Sequence, residues 1–335
     1  MVVECHSRYL IPNRDIFVQV IYYQLLVTTV PTLILILGPT AVGKTAYAIQ
    51  MAQRLGTEIV SCDSRQCYRE MNIGVARPSV EELEAVSHHF IANRSVLQPY
   101  NVYSYEQEAM ECLSQLFRCY DTVVAVGGSG LYADALCNGV SNVPDPLPGL
   151  REQLQQRLQY EGLASLQQEL KQRDPDYYNK VDLRNPVRVQ RALEICITTG
   201  RPYSQVINQP ASQRPFNIRK LGLCCDRAVL KERIALRTQK MMQDGLLKET
   251  LDVLPYRHLQ ALNTVGYKEL FEYFDHLQML TGKDPGTFSV QQMEEATPLV
   301  LQKTVQNIVT HTWQYAKKQL SYFARDPHIE WIMRK

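Results

Sequence analysis

Leu33-Ile34-Leu35-Ile36-Leu37-Gly38-Pro39-Thr40-Ala41-Val42-Gly43-Lys44-Thr45 is the stretch on which the fold turns. Its five consecutive apolar residues, bounded by Pro31 and Gly38, suit a strand buried on both faces, as in a parallel sheet. The eight that follow match G-x-x-x-x-G-K-[ST], and Thr45 to Leu55 then reads as a helix ended by Gly56. A glycine-rich loop between strand and helix is the setting in which that pattern forms a P-loop. The glycines let backbone N–H groups turn inward, and the helix start adds positive partial charge. Lys44 supplies a point charge and Thr45 a hydroxyl for a magnesium ion. The binding set is Gly38, Pro39, Thr40, Ala41, Val42, Gly43, Lys44 and Thr45; it specifies a polyphosphate, not a nucleotide.

Working outward, Glu58–Cys62 and Thr122–Val126 read as further strands, with a helical stretch from Tyr105 to Tyr120 before the last. Strand alternating with helix implies a right-handed parallel α/β sheet. The texture changes near Asn142, where Pro144, Pro146 and Pro148 make a stiff connector. Arg151 to Arg173 is helical and Gln-rich, and Asn185-Pro186 caps a helix that stops at Gly200. Arg219–Cys225 returns to strand; Ala228–Leu254 and Pro298–Phe323 are helical. In the last, Val305, Ile308, Val309, Thr312, Ala316 and Leu320 form one apolar stripe. The expected organisation is an N-terminal extension (1–31), a P-loop α/β core (32–141), an inserted helical domain (142–205) and a C-terminal part that completes the core (206–335).

The bulk numbers constrain less. The 335 residues are 45% apolar and 21% charged, with net charge +2, so any surface for nucleic acid must be local. Nine cysteines, an odd number with no paired CxxC motifs, suit free thiols in a reducing cytosol. Ile16–Val30 is apolar-rich, but Gln19, Gln24, Thr28 and Thr29 interrupt it, and it is too polar and broken for a membrane span. It reads instead as a loosely attached extension or a misassigned start.

Four further groups carry chemistry. Asp63-Ser64-Arg65-Gln66 follows the second strand, at the sheet end where α/β ligands bind. Asp63 there suits proton acceptance or metal holding, and equally a helix N-cap. Gly127-Gly128-Ser129-Gly130-Leu131-Tyr132 follows the third strand, where an ATPase would carry a magnesium-holding acid. Ser129 suits either a phosphate contact or a helix cap. Arg188 and Arg191, with Arg184 before them, form an edge that can grip phosphates or stay solvated, while Val189, Ala192, Leu193 and Cys196 define another face. Arg233 and Arg237, one helical turn apart, can hold a diphosphate or lie on the surface. His88-His89 is a weak metal signal, since adjacent side chains point to opposite sides of a strand.

The strings GPTAVGKT (38–45), DSRQCYREMNIGVARPS (63–79), SHHFI (87–91), VGGSGLY (126–132), NPVRVQRALEI (185–195), NTVGYKEL (263–270) and YAKKQL (315–320) together resemble the bacterial tRNA dimethylallyltransferase (tRNA isopentenyltransferase) family. The resemblance runs from Thr32 to Ile329, and YNVYSYEQEA (100–109) with PYRHLQALNTVGYKEL (255–270) looks most like its Bacteroidetes members. It implies transfer of a dimethylallyl group from dimethylallyl diphosphate to the exocyclic amine of the adenosine 3′ of the anticodon. Asp63 would be the base. Ser129 would act at a position where most members have threonine. Thr40, Lys44 and Thr45 would hold diphosphate and magnesium. Arg237 would close on the diphosphate with Arg233 adjacent. The tRNA anticodon stem-loop would meet Asp63, Ser64, Arg65, Gln66, Ser129, Arg151 and the strip Val187, Arg188, Val189, Gln190 and Arg191. A cytoplasmic monomer without membrane attachment is implied.

Two departures stand out. The family's Thr-Ala-Lys-Pro reads Val75-Ala76-Arg77-Pro78, and Trp313-Gln314 replace an arginine pair before Tyr315, which puts tRNA affinity rather than chemistry in question. Three rivals follow from the residues: an adenylate prenyltransferase using free AMP, ADP or ATP, a P-loop nucleotide kinase, and a catalytically idle RNA-binding protein.

Overall fold

The computed structural model describes residues 30–207 and 213–334. Nearly all of the expected extension 1–31, and of the Ile16–Val30 reading, falls outside the described residues. Among the described residues six strands form one sheet, in the order β3-β2-β4-β1-β5-β6. They are β1 (Thr32–Leu37), β2 (Ile59–Ser61), β3 (His88–His89), β4 (Thr122–Val126), β5 (Asn217–Cys224) and β6 (Ile329–Met333). Every pairing is parallel, with Leu35 beside Ala125 on one side of β1 and beside Lys220 on the other.

Both faces of the central strands are covered, which is why β1 reads as an unbroken apolar run. Leu33, Leu35 and Leu37 pack with Val123 and Ala125 against the helices Val102–Leu116 and Gly130–Asn138. Ile36, Val124 and Val126 face the other way, onto Ala48, Ile49, Ile234 and Ala316. Each fully buried leucine or isoleucine contributes roughly 1.5–3 kcal/mol, so this two-sided core is the main support of the sheet. A separate apolar cluster holds Tyr267, Phe274, Leu277 and Ile308.

The strand at Thr122–Val126 and the helix at Pro298–Phe323 lie where sequence periodicity puts them. Two long helical readings are broken by glycine. Arg151–Arg173 is two helices, Leu150–Glu161 and Leu163–Arg173, divided at Gly162, and Ala228–Leu254 becomes Arg227–Gln243 and Leu246–Asp252, with Gly245 at φ 102° between them. The edge strands β3 and β6 and the helices Tyr267–Thr281 and Val290–Ala296 leave no strong local signal. β3 holds only two residues, below the length at which alternation registers.

The chain divides into two compact units, one spanning Asn138–Gln213 and the other holding the rest. The first has its own core of Leu150, Leu154, Leu166, Leu170, Val189 and Leu193. Its limits fall outside 142 and 205, the bounds expected from composition. The return is fixed by Arg214, whose side chain is buried at 7% exposure, pairs with Glu106 at 2.8 Å and donates to the Leu136 carbonyl at 2.9 Å. A buried guanidinium with its partners satisfied is an anchor that composition does not reveal. Among the described residues no helix is long and apolar enough to cross a membrane.

Candidate active site

Three loops leave the carboxyl ends of β1, β2 and β4 and line one cavity of about 480 Å³. This is the place where open α/β sheets hold ligands. The first loop is the P-loop, with Gly43 at φ 94° before the helix Lys44–Leu55. A left-handed residue is required there, and glycine adopts it without a Cβ penalty. Thr40, Ala41, Gly43, Lys44 and Thr45 line the cavity. Gly38, Pro39 and Val42 are buried behind it.

Lys44 Nζ donates to the Pro39 carbonyl at 2.7 Å. Burial lowers its pKa to about 8, opposed by the Asp63 carboxylate and reinforced by Arg237. Arg237, from the helix Arg227–Gln243, donates to Thr40 Oγ1. Burial lowers Arg237 to about 10, again opposed by Asp63. Two half-buried cations thus face one carboxylate, and loss of water around both leaves their positive charge under-compensated. A polyanion in the cavity would relieve that cost.

The second loop carries Asp63. Its Oδ1 accepts from the backbone N–H of Arg65 at 2.8 Å and of Gln66 at 3.2 Å. Asp63 therefore closes its own turn and keeps its carboxyl in the cavity lining. Gln66 Nε2 donates to the carbonyls of Val75 at 3.2 Å and Ala76 at 2.9 Å, which fixes which end of that amide faces inward.

The third loop carries Ser129. Its Oγ accepts from the Ser64 N–H at 3.0 Å and lies 3.1 Å from Ser64 Oγ, tying the two loops together. A Cβ on Gly127 would lie 2.4 Å from the Cys62 carbonyl oxygen. No side chain fits there, so the acid of a hydrolysing NTPase is excluded at that position by backbone contact. For magnesium, Thr45 offers a hydroxyl in the cavity, and the ion needs only one or two protein oxygens when phosphates and water supply the rest. The donor set fits.

Several other cavity residues escape a motif reading. Gln319 is buried in the helix Pro298–Phe323; its Oε1 accepts from the Thr40 N–H at 2.8 Å and its Nε2 donates to the Gly128 carbonyl at 2.8 Å. One amide thus links the P-loop to the glycine turn. The available signal was a glutamine on the buried face, one turn after Ala316, inside YAKKQL. Tyr315 also lines the cavity; the residue is 42% exposed, but loss of water around its phenol, followed by the Asp63 carboxylate, pushes that group up to about 12. Thr312, Thr264 and Val265 complete that wall.

Other expected residues lie elsewhere. Arg233 is not among the cavity-lining residues; it sits one turn from Arg237, near Cys225. In the second unit, Val187 and Arg188 are exposed on the helix Pro186–Thr199 and Gln190 is half-buried. Val189 is fully buried in that unit's core, about 100° round the helix from Arg188, so its side chain is turned inward. Arg151 holds Glu194 with two bonds, at 2.9 and 3.2 Å, and Arg191 meets the same carboxylate at 2.9 Å. His88 Nδ1 bonds the Val86 carbonyl and His89 Nε2 meets Glu58, so both are used structurally. Arg77 Nε donates to Asn72 Oδ1 at 2.8 Å, and Trp313 lies between Lys231 and Lys317, whose Nζ atoms are 5.9 and 5.8 Å from its ring.

Comparison with known proteins agrees with this geometry. The IPP transferase family model matches residues 66–326, beginning just after the P-loop and Asp63. The tRNA dimethylallyltransferase 2 of Porphyromonas gingivalis is 45% identical over 301 residues, covering 90% of this chain and 93% of that one. The tRNA dimethylallyltransferase of Christiangramia forsetii is 42% identical over 300 residues, covering 90% and 92%. Among solved structures, the full-length tRNA isopentenylpyrophosphate transferase of Bacillus halodurans superposes with a TM-score of 0.60 at 28% identity, covering 90% of this chain and 89% of that one. With its sheet, its P-loop cavity and these relatives in agreement, the chain belongs to the IPP transferase family.

Proposed function

We propose that this protein transfers a dimethylallyl group from dimethylallyl diphosphate to the exocyclic amine of the adenosine 3′ of the anticodon in tRNA. The observation that carries the reading is the pairing, in one cavity, of two under-compensated cations, Lys44 and Arg237, with an acceptor carboxylate, Asp63. The amine nitrogen attacks the allylic carbon as the bond from that carbon to the diphosphate oxygen breaks. The amine's proton passes to Asp63, and the negative charge left on the diphosphate meets Lys44, Arg237 and the N–H groups at the start of the helix Lys44–Leu55. Magnesium on Thr45 supplies further charge to the leaving group when bound. Ser129 and Ser64 hold the Asp63 turn against the glycine turn, and Gln319 holds the glycine turn to the P-loop. The adenine is stacked in an anticodon loop and must be turned out to reach this cavity.

Exposed Val187 and Arg188, with Gln190 and Arg191 beside them, are assigned to the tRNA, as is the turn Asp63-Ser64-Arg65-Gln66. Arg151 and Arg191 act there through the shared Glu194. The protein is assigned to the cytoplasm, where tRNA is matured, and to a monomeric state.

The test supplies labelled dimethylallyl diphosphate with either tRNA or AMP. Label in tRNA supports the reading, and label only in AMP overturns it. Asp63→Ala should lower kcat by about 10²–10⁴-fold while tRNA binding persists, since a positioned base contributes that much. Unchanged turnover in that variant would remove Asp63 from the mechanism.

A further inference from the structure

Glu249, in the helix Leu246–Asp252, gathers four donors on one carboxylate. Its Oε2 accepts from the N–H groups of Asn72 at 3.1 Å and Ile73 at 2.8 Å. Its Oε1 accepts from the Gly74 N–H at 2.9 Å and from the Tyr267 phenol at 2.6 Å. Hydrogen bonds to an ionised acceptor are roughly twice as strong as neutral ones, so the turn at 72–74 is held firmly from outside. Burial and the Glu249 carboxylate both keep the Tyr267 phenol protonated and therefore donating. Gly74 has to be glycine for this, because a Cβ there would lie 2.5 Å from the Tyr267 ring.

The turn leads straight into the cavity. Ala76 has φ 49°, a left-handed conformation that a residue with a Cβ keeps only where its surroundings demand it. The Ala76 N–H donates to the Ile73 carbonyl at 3.0 Å, and the Arg77 N–H to the Asn72 carbonyl at 3.1 Å. So the strained residue is closed onto the very residues that Glu249 grips. The carbonyls of Val75 and Ala76 then receive the Gln66 amide, and the Gln66 N–H in turn holds Asp63 Oδ1. Hydrogen bonds, joined by the short backbone segments 72–77 and by Gln66 itself, link Glu249, outside the cavity lining, to the carboxylate inside it.

We infer that Glu249, supported by Tyr267, is a positioning residue that aims Asp63 and Gln66 at the acceptor nucleotide. This rests on the prenyl-transfer reading above and assigns Glu249 to the acceptor half of the site alone. Glu249→Gln preserves shape but turns an amide donor toward N–H groups that need an acceptor. Its kcat/KM for tRNA should fall by about 10–100-fold, the scale on which a small misplacement costs rate, with KM for dimethylallyl diphosphate changed by less than about twofold. Combining it with Gln66→Ala separates aim from stability. If Glu249 works through Gln66, the double variant is hardly slower than Gln66→Ala alone, and losses that multiply overturn the proposal.

Amide hydrogen exchange provides a readout that does not depend on activity. Asn72, Ile73 and Gly74 should exchange faster in Glu249→Gln while the helix Lys44–Leu55 keeps its protection; unchanged exchange at 72–74 overturns the brace. If the wild-type protein transfers no prenyl group to tRNA, the functional reading fails and the exchange arm still decides the brace. Tyr267→Phe, which keeps the ring and removes one donor, should move both readouts the same way by less, and stands in if Glu249→Gln does not fold.

Discussion

Lys44 and Arg237 illustrate how much of this site is decided by single charges taken out of water. Lys44 in the ligand-free protein titrates near 8 because burial disfavours its charged form. A bound diphosphate favours that charge and raises the same pKa, so binding above pH 8 must take up a proton. Affinity for dimethylallyl diphosphate should therefore weaken as pH rises through 8, by up to about tenfold per unit. Calorimetry at pH 8.5 in buffers of different ionisation heat should show uptake of about three quarters of a proton, and Lys44→Met should abolish it. No uptake in the wild-type protein would mean that Lys44 is not the diphosphate contact. At this scale the sequence was informative. Lys44, Thr45 and Asp63 were readable because P-loop spacing and strand ends are local features. The burial of Val189 was readable too, from the apolar spacing it shares with Ala192, Leu193 and Cys196, whereas the pairing of Arg151 and Arg191 on Glu194 was not.

Among the elements, the helix Pro298–Phe323 does more than cover one face of the sheet. Its apolar stripe is carried by Leu301, Ile308 and Ala316, and the last turns substitute buried Gln319 for a hydrophobe. That amide ties Thr40 to Gly128, and so joins the ends of β1 and β4. Gln319→Leu should leave the Thr40 N–H and the Gly128 carbonyl without partners and cost about 1–3 kcal/mol in urea unfolding. It should also raise KM for dimethylallyl diphosphate while KM for tRNA stays nearly constant, because the P-loop side moves. Equal effects on both substrates would argue that the helix supports the site only generally. The helix itself was legible from its period, whereas its catalytic-side contact was not.

At the scale of the molecule, the helical unit Asn138–Gln213 forms a compact body with its own core. Its exposed Arg188 and Val187 suit a nucleic-acid surface, while Arg151 and Arg191 are oriented by Glu194. Arg188→Ala should weaken tRNA binding and reduce the slope of log affinity against log salt by about 0.7–0.9, the effect of one lost phosphate contact. KM for dimethylallyl diphosphate should not change. A slope identical to wild type, measured by filter binding from low to moderate salt, would remove Arg188 from the interface.

What the sequence determined by itself was the framework: a parallel sheet, a P-loop after its first strand and chemistry-bearing turns after two others. Those features repeat every two or 3.6 residues or sit at fixed spacing, so they are visible in a short window. Only the tertiary structure decided which distant side chains complete the site. Gln319 meets Thr40 across 279 positions, and Glu249 meets Gly74 across 175. A hydrogen bond between residues so far apart leaves no periodic trace in the chain. It exists because burying a polar group without a partner is costly, and the partner is whatever the folded core brings within reach.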